Sequence, residues 1–264
     1  MLSYGIVGDL MTIHVWKYEA CGNDFVFMPL KYCRQEIIEK ICDRHYGIGA
    51  DGVIASDTPD FVYYNKDGSQ ANLCGNGLRC FALHQYLKRN QRNGEILVGI
   101  EQYEYQIKEG EEYLIEVKMK CPTYLDYPLQ KLGDFDKGIR AWLVDAGVRH
   151  IILLSDKHIN NEEVEEIGKY YNSLEYFSDG INVDIIEYGD KPVCHTYERG
   201  CGLTLACGSG ALACFKVLND LDKMDNIGRI YFKNGESLLF KSCESYISMI
   251  GKARLIMEGG YING

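Results

Sequence analysis

From residue 11 onward the chain alternates apolar and polar side chains in a way that names its elements one after another. Positions 11–18 alternate like a strand, and Gly22-Asn23-Asp24 turns into the apolar run 25–28. Residues 36–44 place Ile37, Ile38 and Ile41 on one side and predict a helix. A glycine-dense loop (Gly47-Ile48-Gly49-Ala50-Asp51-Gly52) precedes a short strand at 53–54, and a strand over 60–64 leads into the turn Asn65-Lys66-Asp67-Gly68-Ser69. A helix over 77–89 offers Phe81, Ala82, Leu83, Tyr86 and Leu87 to a core. Residues 94–117 alternate like hairpins, and 122–128 is the best linker in the middle of the chain.

The second half replays this order. A strand at 141–144 leads to Gly147-Val148-Arg149-His150, which stands where Gly22-Asn23-Asp24-Phe25 stood, and the apolar run 151–154 follows. A helix over 162–171, strands at 182–186 and 194–199, a helix over 211–218 and strands at 227–232, 237–241 and 246–250 complete it. A period near 130 residues is too long for a solenoid. The expected fold class is therefore α/β (α+β), with two pseudo-symmetric domains, each a β-rich sheet or barrel wrapped around a central helix. The expected division is an N-terminal extension (1–10), a first half over 11–121 with 251–264, and a second half over 122–250.

Composition narrows the class of protein. Of 264 residues, 46% are hydrophobic and 25% charged, as in a soluble globular protein. A net charge of -10 argues against nucleic acid or an anionic membrane as partner. Eleven cysteines occur without any Cys-x-x-Cys, and Cys194, Cys201, Cys207 and Cys214 are spaced seven, six and seven apart, which matches no common zinc pattern. Residues 1–11 lack a signal peptide's basic start and apolar core, and no apolar run is long enough to span a membrane. A cytoplasmic protein is expected, with most cysteines buried as small hydrophobes and no metal or cofactor.

Two stretches carry chemistry: Leu73-Cys74-Gly75-Asn76-Gly77 and Ala206-Cys207-Gly208-Ser209-Gly210. Each opens a helical run, and each is followed by a Cys-Phe pair (Cys80-Phe81, Cys214-Phe215). A thiol beside glycine-rich amides at a helix start sits where a thiolate and an anion are both stabilised. One such motif is an ordinary turn with a buried thiol. Two suggest thiols working on opposite faces of one substrate, because inverting a carbon that bears hydrogen needs one group to remove the proton and another to return it. The same amides can bind a carboxylate and stabilise the charge that develops. His150 and the carboxylate of Glu198 suit an ammonium, and Arg199 a second anion. His14, His45, His84, His158 and His195 read as structural or surface residues.

Several segments together resemble the diaminopimelate epimerase family. They are Lys17-Tyr18-Glu19-Ala20-Cys21-Gly22-Asn23-Asp24-Phe25, Arg44-His45-Tyr46-Gly47-Ile48-Gly49-Ala50-Asp51-Gly52, and Asn65-Lys66-Asp67-Gly68-Ser69 with Cys74-Gly75-Asn76-Gly77-Leu78-Arg79-Cys80. Glu198-Arg199-Gly200-Cys201-Gly202 with Ala206-Cys207-Gly208-Ser209-Gly210 completes the set. The resemblance implies a pyridoxal-phosphate-independent amino-acid racemase or epimerase with its site in a cleft between two domains, a small-molecule amino-acid substrate and, as in many relatives, a homodimer. It implies Cys74 and Cys207 as the two bases, and His150 and Glu198 as holders of the reacting ammonium. The reacting carboxylate would lie on the amides of Gly75, Asn76, Gly208 and Ser209, and the far end of diaminopimelate on Asn23, Asn65, Asn182 and Arg199.

The chain departs from the family pattern in three places. Glu19-Ala20 replaces His-Gly, Gly147-Val148-Arg149-His150 replaces Gly-Asn-Pro-His, and Gly200-Cys201-Gly202-Leu203-Thr204 replaces Gly-x-Gly-Glu-Thr. Val148 removes a distal hydrogen-bonding side chain, so the substrate is LL- or meso-diaminopimelate or another amino acid such as histidine. A proline racemase or hydroxyproline epimerase-like enzyme and a thiol-based amino-acid-binding or redox-sensing protein are the alternatives.

Overall fold

The computed structural model describes residues 11–71, 73–126 and 140–263, so the expected 1–10 extension lies outside them. The fold is mixed α/β and rich in sheet, as the alternation predicted. Two compact units divide the chain, with boundaries between Val117 and Lys118 and between Ile250 and Gly251.

The first unit contains β1 (Met11–Ala20), β2 (Asn23–Met28), α1 (Gln35–Cys42), β3 (Gly52–Ala55), β4 (Tyr63–Asn65), β5 (Gln70–Ala71) and α2 (Gly75–Arg89). Next come the antiparallel strands β6 (Asn93–Val98), β7 (Glu101–Lys108) and β8 (Leu114–Lys120), whose last three residues belong to the second unit. The C-terminal strand β18 (Arg254–Asn263) returns to complete a six-stranded sheet in the order β18-β1-β2-β3-β4-β5. Strand β2 is apolar on both faces because both are covered. Val26 and Met28 pack with Ile37, Ile38 and Ile41 of α1. On the other face Phe27 meets Tyr18 and His84, with α2 supplying the imidazole. Helix α2 is buried without interruption from Gly75 to Gln85.

The second unit contains β9 (Thr123–Tyr124), β10 (Arg140–Asp145), β11 (Arg149–Ser155), α3 (Asn161–Ser173), β12 (Asn182–Glu187), β13 (Val193–Glu198), β14 (Gly202–Thr204) and α4 (Gly208–Asp220). It ends with β15 (Ile227–Phe232), β16 (Ser237–Ser242) and β17 (Tyr246–Lys252). Its sheet runs β17-β16-β15-β13-β12-β11-β10-β9, with β14 added to β13. Ile151 and Leu153 of β11 and Val183 and Ile185 of β12 pack with Val164, Ile167 and Tyr171 of α3. The period of two along a strand then turns His150 and Asp184 to the opposite face, toward α4. Parallel pairing sets His150 beside Asn182 and Ile152 beside Asp184.

Most expected elements fall within a few residues of their observed bounds. Three readings differ. Of the strand expected at 60–64 only its end is present, because Asp60 makes a single bridge to Leu97 and the chain becomes extended again at Tyr63. The 122–128 segment is not all linker, since Thr123 and Tyr124 pair with Asp145 and Val144; its last two residues lie outside the described ones. Strand β18 was not read from the sequence, because Gly259 and Gly260 interrupt its alternation; it is held by nine paired positions along β1. Of the cysteines, Cys21, Cys42, Cys80, Cys194, Cys207 and Cys214 are buried and the other five are not, and no disulfide joins them.

His84 gives the first unit an acid sensitivity. Burial, with Lys88 and Arg89 nearby, pulls its pKa down to about 4, and its Nδ1 pairs with the Tyr18 hydroxyl at 2.9 Å. The unfolded imidazole titrates near 6.5. The unfolded chain therefore takes up the proton first, and stability present above about pH 6.5 is lost as pH falls toward 4, by up to about 3 kcal/mol. Denaturant titrations at pH 7 and pH 4.5 check this: His84→Gln should flatten the difference between the two, and an unchanged difference would rule His84 out as its source.

Candidate active site

In each unit a cysteine is the N-cap of the buried helix. Cys74 has extended backbone angles (φ -142°, ψ 110°), and its Sγ accepts the Gly77 N–H at 3.4 Å. Cys207 repeats this with φ -119° and ψ 117°, its Sγ accepting the Gly210 N–H at 3.4 Å. In both, the first amides of the helix belong to the residues expected to bind a carboxylate: Gly75 and Asn76, Gly208 and Ser209. A helix N-terminus presents such amides with a partial positive charge.

Around Cys74 the first unit gathers Asn23 and Asn76. The Cys74 thiol points at Asn23 Oδ1 at 3.8 Å, and Asn76 Nδ2 donates to the same oxygen at 3.5 Å. Asn23 is fixed in turn by donating to Asp51 Oδ2 at 2.5 Å, and Asp51 and Asp24 share Arg44. Arg79 is fully buried and donates to Asn76 Oδ1 at 2.7 Å and to the Gly75 carbonyl at 3.3 Å, tying down the first turn of α2. Asn65 bonds instead within its own turn, donating to Ser69 Oγ at 3.0 Å. Glu19, a departure from the family pattern, pairs with Arg254 and caps the Gly22 N–H.

In the second unit Cys207 lies in a closed polar network. Its Sγ is 3.4 Å from Ser209 Oγ, which is 3.0 Å from His150 Nε2. His150 Nδ1 is 2.6 Å from Asp184 Oδ2, and Asp184 Oδ1 accepts from Thr196 Oγ1 at 2.7 Å. His150 and Asp184 have no exposed surface. Burial, with Glu198 and Asp184 nearby, pushes the Cys207 thiol well above its ordinary pKa, while Ser209 and the Gly210 amide act against this. Glu198 accepts from Thr204 Oγ1 at 2.6 Å. The donor atoms of His150, Asp184 and Cys207 lie within 4.8 Å of one another, as metal ligands do. Here both imidazole nitrogens are already hydrogen-bonded, to Asp184 and Ser209.

Asn182 and Arg199 line a cavity of about 250 Å³ with Asp145, Val148 and Arg149. Asn182 joins its walls by accepting the Arg199 N–H at 2.9 Å and donating to the Arg149 carbonyl at 3.3 Å. Val148 and Arg149, two of the departures, are thus both in this wall. Leu203, a third, is on β14 and partly exposed.

Comparison with known proteins places this arrangement. The family model described as diaminopimelate epimerase matches residues 15–124. Diaminopimelate epimerase of Caldanaerobacter subterraneus subsp. tengcongensis is 31% identical, over 92% of this chain and 97% of its own. That of Rickettsia prowazekii is 32% identical, over 94% and 97%. The chain belongs to the diaminopimelate epimerase family. It is accordingly an isomerase of the epimerase and racemase class. Its fold is similar to those of a predicted epimerase from Pseudomonas aeruginosa (TM-score 0.72, 11% identity, 96% of this chain and 100% of that one) and a hydroxyproline epimerase from Agrobacterium vitis (0.67, 9%, 95% and 91%). Among the described residues no helix is long and apolar enough to cross a membrane.

Sequence reasoning missed Asp184, Thr196 and Arg79 as parts of these networks. A carboxylate inside the apolar run Val183-Asp184-Ile185-Ile186 was the available signal, since ionisable residues are buried at such cost that they need partners. Gly210 was needed for a reason the motif does not state: a Cβ there would stand 2.0 Å from Asp184 Oδ1. At Gly77 a Cβ would meet apolar side chains rather than a carboxylate, the Phe61 ring at 3.0 Å and Ile54 Cδ1 at 3.3 Å. Gly210→Ala should therefore cost about 1–3 kcal/mol of stability and more than Gly77→Ala. Chemical denaturation of the two variants checks the ranking, and equal costs would count against the close approach of Asp184.

Proposed function

We propose that the protein inverts the α carbon of an amino acid with Cys74 and Cys207 as its two acid–base groups, diaminopimelate being the substrate that fits best. One observation carries this reading: each unit holds a cysteine as N-cap of a buried helix, in matching geometry, beside amides suited to a carboxylate. One thiolate takes the α proton, and the other thiol delivers a proton to the opposite face. The positive helix ends lower the energy of the charge that builds up on the substrate carboxylate. No cofactor is required by this scheme. Glu198 is the carboxylate proposed for the reacting ammonium. His150 was expected to share that task, but both of its ring nitrogens are engaged by Asp184 and Ser209, so it acts on Cys207 instead.

The substrate reading rests on the cavity lined by Arg149, Arg199, Asn182 and Asp145. Two guanidiniums and a carboxylate complement a far end that carries both a carboxylate and an ammonium, as diaminopimelate does. Histidine, lysine and ornithine offer no distal carboxylate, and glutamate no distal ammonium. The curated relatives carry the name of that same substrate. The hydroxyproline epimerase neighbour was solved with trans-4-hydroxy-L-proline, a ligand without a distal anion, and so would leave both guanidiniums unused.

Incubation with single stereoisomers in deuterated water tests the proposal. Diaminopimelate should gain deuterium at the α carbon and change configuration, ahead of histidine, lysine, ornithine, glutamate and proline. Cys74→Ser and Cys207→Ser should each lower the rate by about 10²-fold or more. Near-normal turnover in both variants would sink the two-thiol mechanism. Preference for proline would sink the substrate assignment while leaving the mechanism intact.

A further inference from the structure

With Asp184 ionised and His150 neutral, the hydrogens of the network around Cys207 follow from donor and acceptor chemistry. An ionised carboxylate only accepts, so Asp184 receives from Thr196 Oγ1 on one oxygen and from His150 Nδ1 on the other. That fixes the proton of a neutral imidazole on Nδ1 and leaves Nε2 as an acceptor. The Ser209 hydroxyl must then donate to Nε2 and receives, at its oxygen, the S–H of Cys207. Donation therefore runs one way, from Cys207 through Ser209 and His150 to Asp184.

We infer that Asp184 is the positioning residue that makes His150, acting through Ser209, the proton acceptor for Cys207. The transfer balances without any further reactant. The S–H bond of Cys207 breaks as its proton bonds to Ser209 Oγ, while the Ser209 O–H bond breaks and its proton bonds to His150 Nε2. The products are a thiolate and an imidazolium, and the imidazolium is held by the carboxylate 2.6 Å from its Nδ1. An imidazolium this deeply buried requires a counter-charge, and Asp184 supplies it.

The local packing supports a built device. Asp184 reaches the first turn of α4 only because Gly210 has no side chain, and β12 turns it away from the apolar α3 face. Cys194 of β13 adds a thiol 3.9 Å from Asp184 Oδ1 and itself lies 3.7 Å from Cys214 of α4. Among the described residues, the ionisable groups that face Cys207 include Glu198 at the end of β13, Asp184 on β12, His150 on β11 and Cys214 on α4. Of these only His150 can take the thiol proton and become a cation.

This inference rests on the two-thiol reading, so its test needs a signal independent of turnover. The thiolate absorbs near 240 nm, and the difference spectrum between the protein and Cys207→Ala, followed with pH, reports Cys207. Asp184→Asn and Ser209→Ala should both raise the midpoint of that titration, Ser209→Ala by about one pH unit or more and Asp184→Asn by less, because it also removes a negative charge that holds the thiol up, and Ser209→Thr, which restores a hydroxyl, should bring it back. The first two variants should also lower kcat/KM for the preferred substrate by about 10²-fold. Lower melting temperatures with an unmoved midpoint would overturn the inference and leave Asp184 a structural residue. If Asp184→Asn does not fold, Ser209→Ala decides the matter, since it removes one hydroxyl at the helix start. A shifted midpoint in a protein that turns over no amino acid would instead refute the two-thiol reading and leave the relay standing.

Discussion

Sulfur makes a weak cap. An N-cap serine or aspartate places an oxygen close to the third amide of its helix, whereas Cys74 and Cys207 hold theirs at 3.4 Å through a large, diffuse acceptor. The cap adds little to helix stability, so something else must fix where these helices begin. That is burial: α2 is enclosed from Gly75 to Gln85 and α4 from Gly208 to Phe215. A helix wrapped by sheet cannot fray or slide without exposing Leu78, Phe81, Leu212 or Phe215. The two thiols thus inherit their position from the core, and the weak cap leaves sulfur available for the chemistry proposed for it.

The same arrangement explains why the glycines cluster at those helix starts. Close packing of the sheet against the first turn leaves no room for a Cβ at Gly210 and little at Gly77. Glycine there is a steric demand, although it weakens the helix. Arg79 offsets part of that weakness in α2 by bonding the Gly75 carbonyl and the Asn76 side chain from within the core.

The features legible in the sequence were those written in local order. The two Cys-Gly-x-Gly motifs, the helices after them and the strands with clean alternation could all be read, because their signals lie within a few neighbouring residues. Asp184 could not be read this way. Its partners His150 and Thr196 lie 34 and 12 residues away, and only the parallel register of β11 with β12 and the antiparallel register of β12 with β13 bring them together. His150 was found from its place after a glycine turn, but its partners were not, since a strand position does not tell which face is covered by what. Asn65 shows another side of local reading. It matched a motif, yet its side chain is engaged in its own turn with Ser69.

What the duplication does not preserve is more telling than what it does. The backbone at the two cysteines is extended in both and the caps are alike, but the chemistry around them is not. Cys74 is half-buried and faces the amides of Asn23 and Asn76. Cys207 is buried and faces a hydroxyl, an imidazole and a carboxylate in series. The proposed two-thiol inversion does not require symmetrical bases, because each thiol needs only the right proton state at the start of its own direction. A buried thiol loses its proton only to a nearby acceptor that is itself held by a counter-charge, and a thiol nearer to water can exchange with solvent. In the proposed relay, that acceptor is assembled in the second unit from β11, β12 and the first turn of α4.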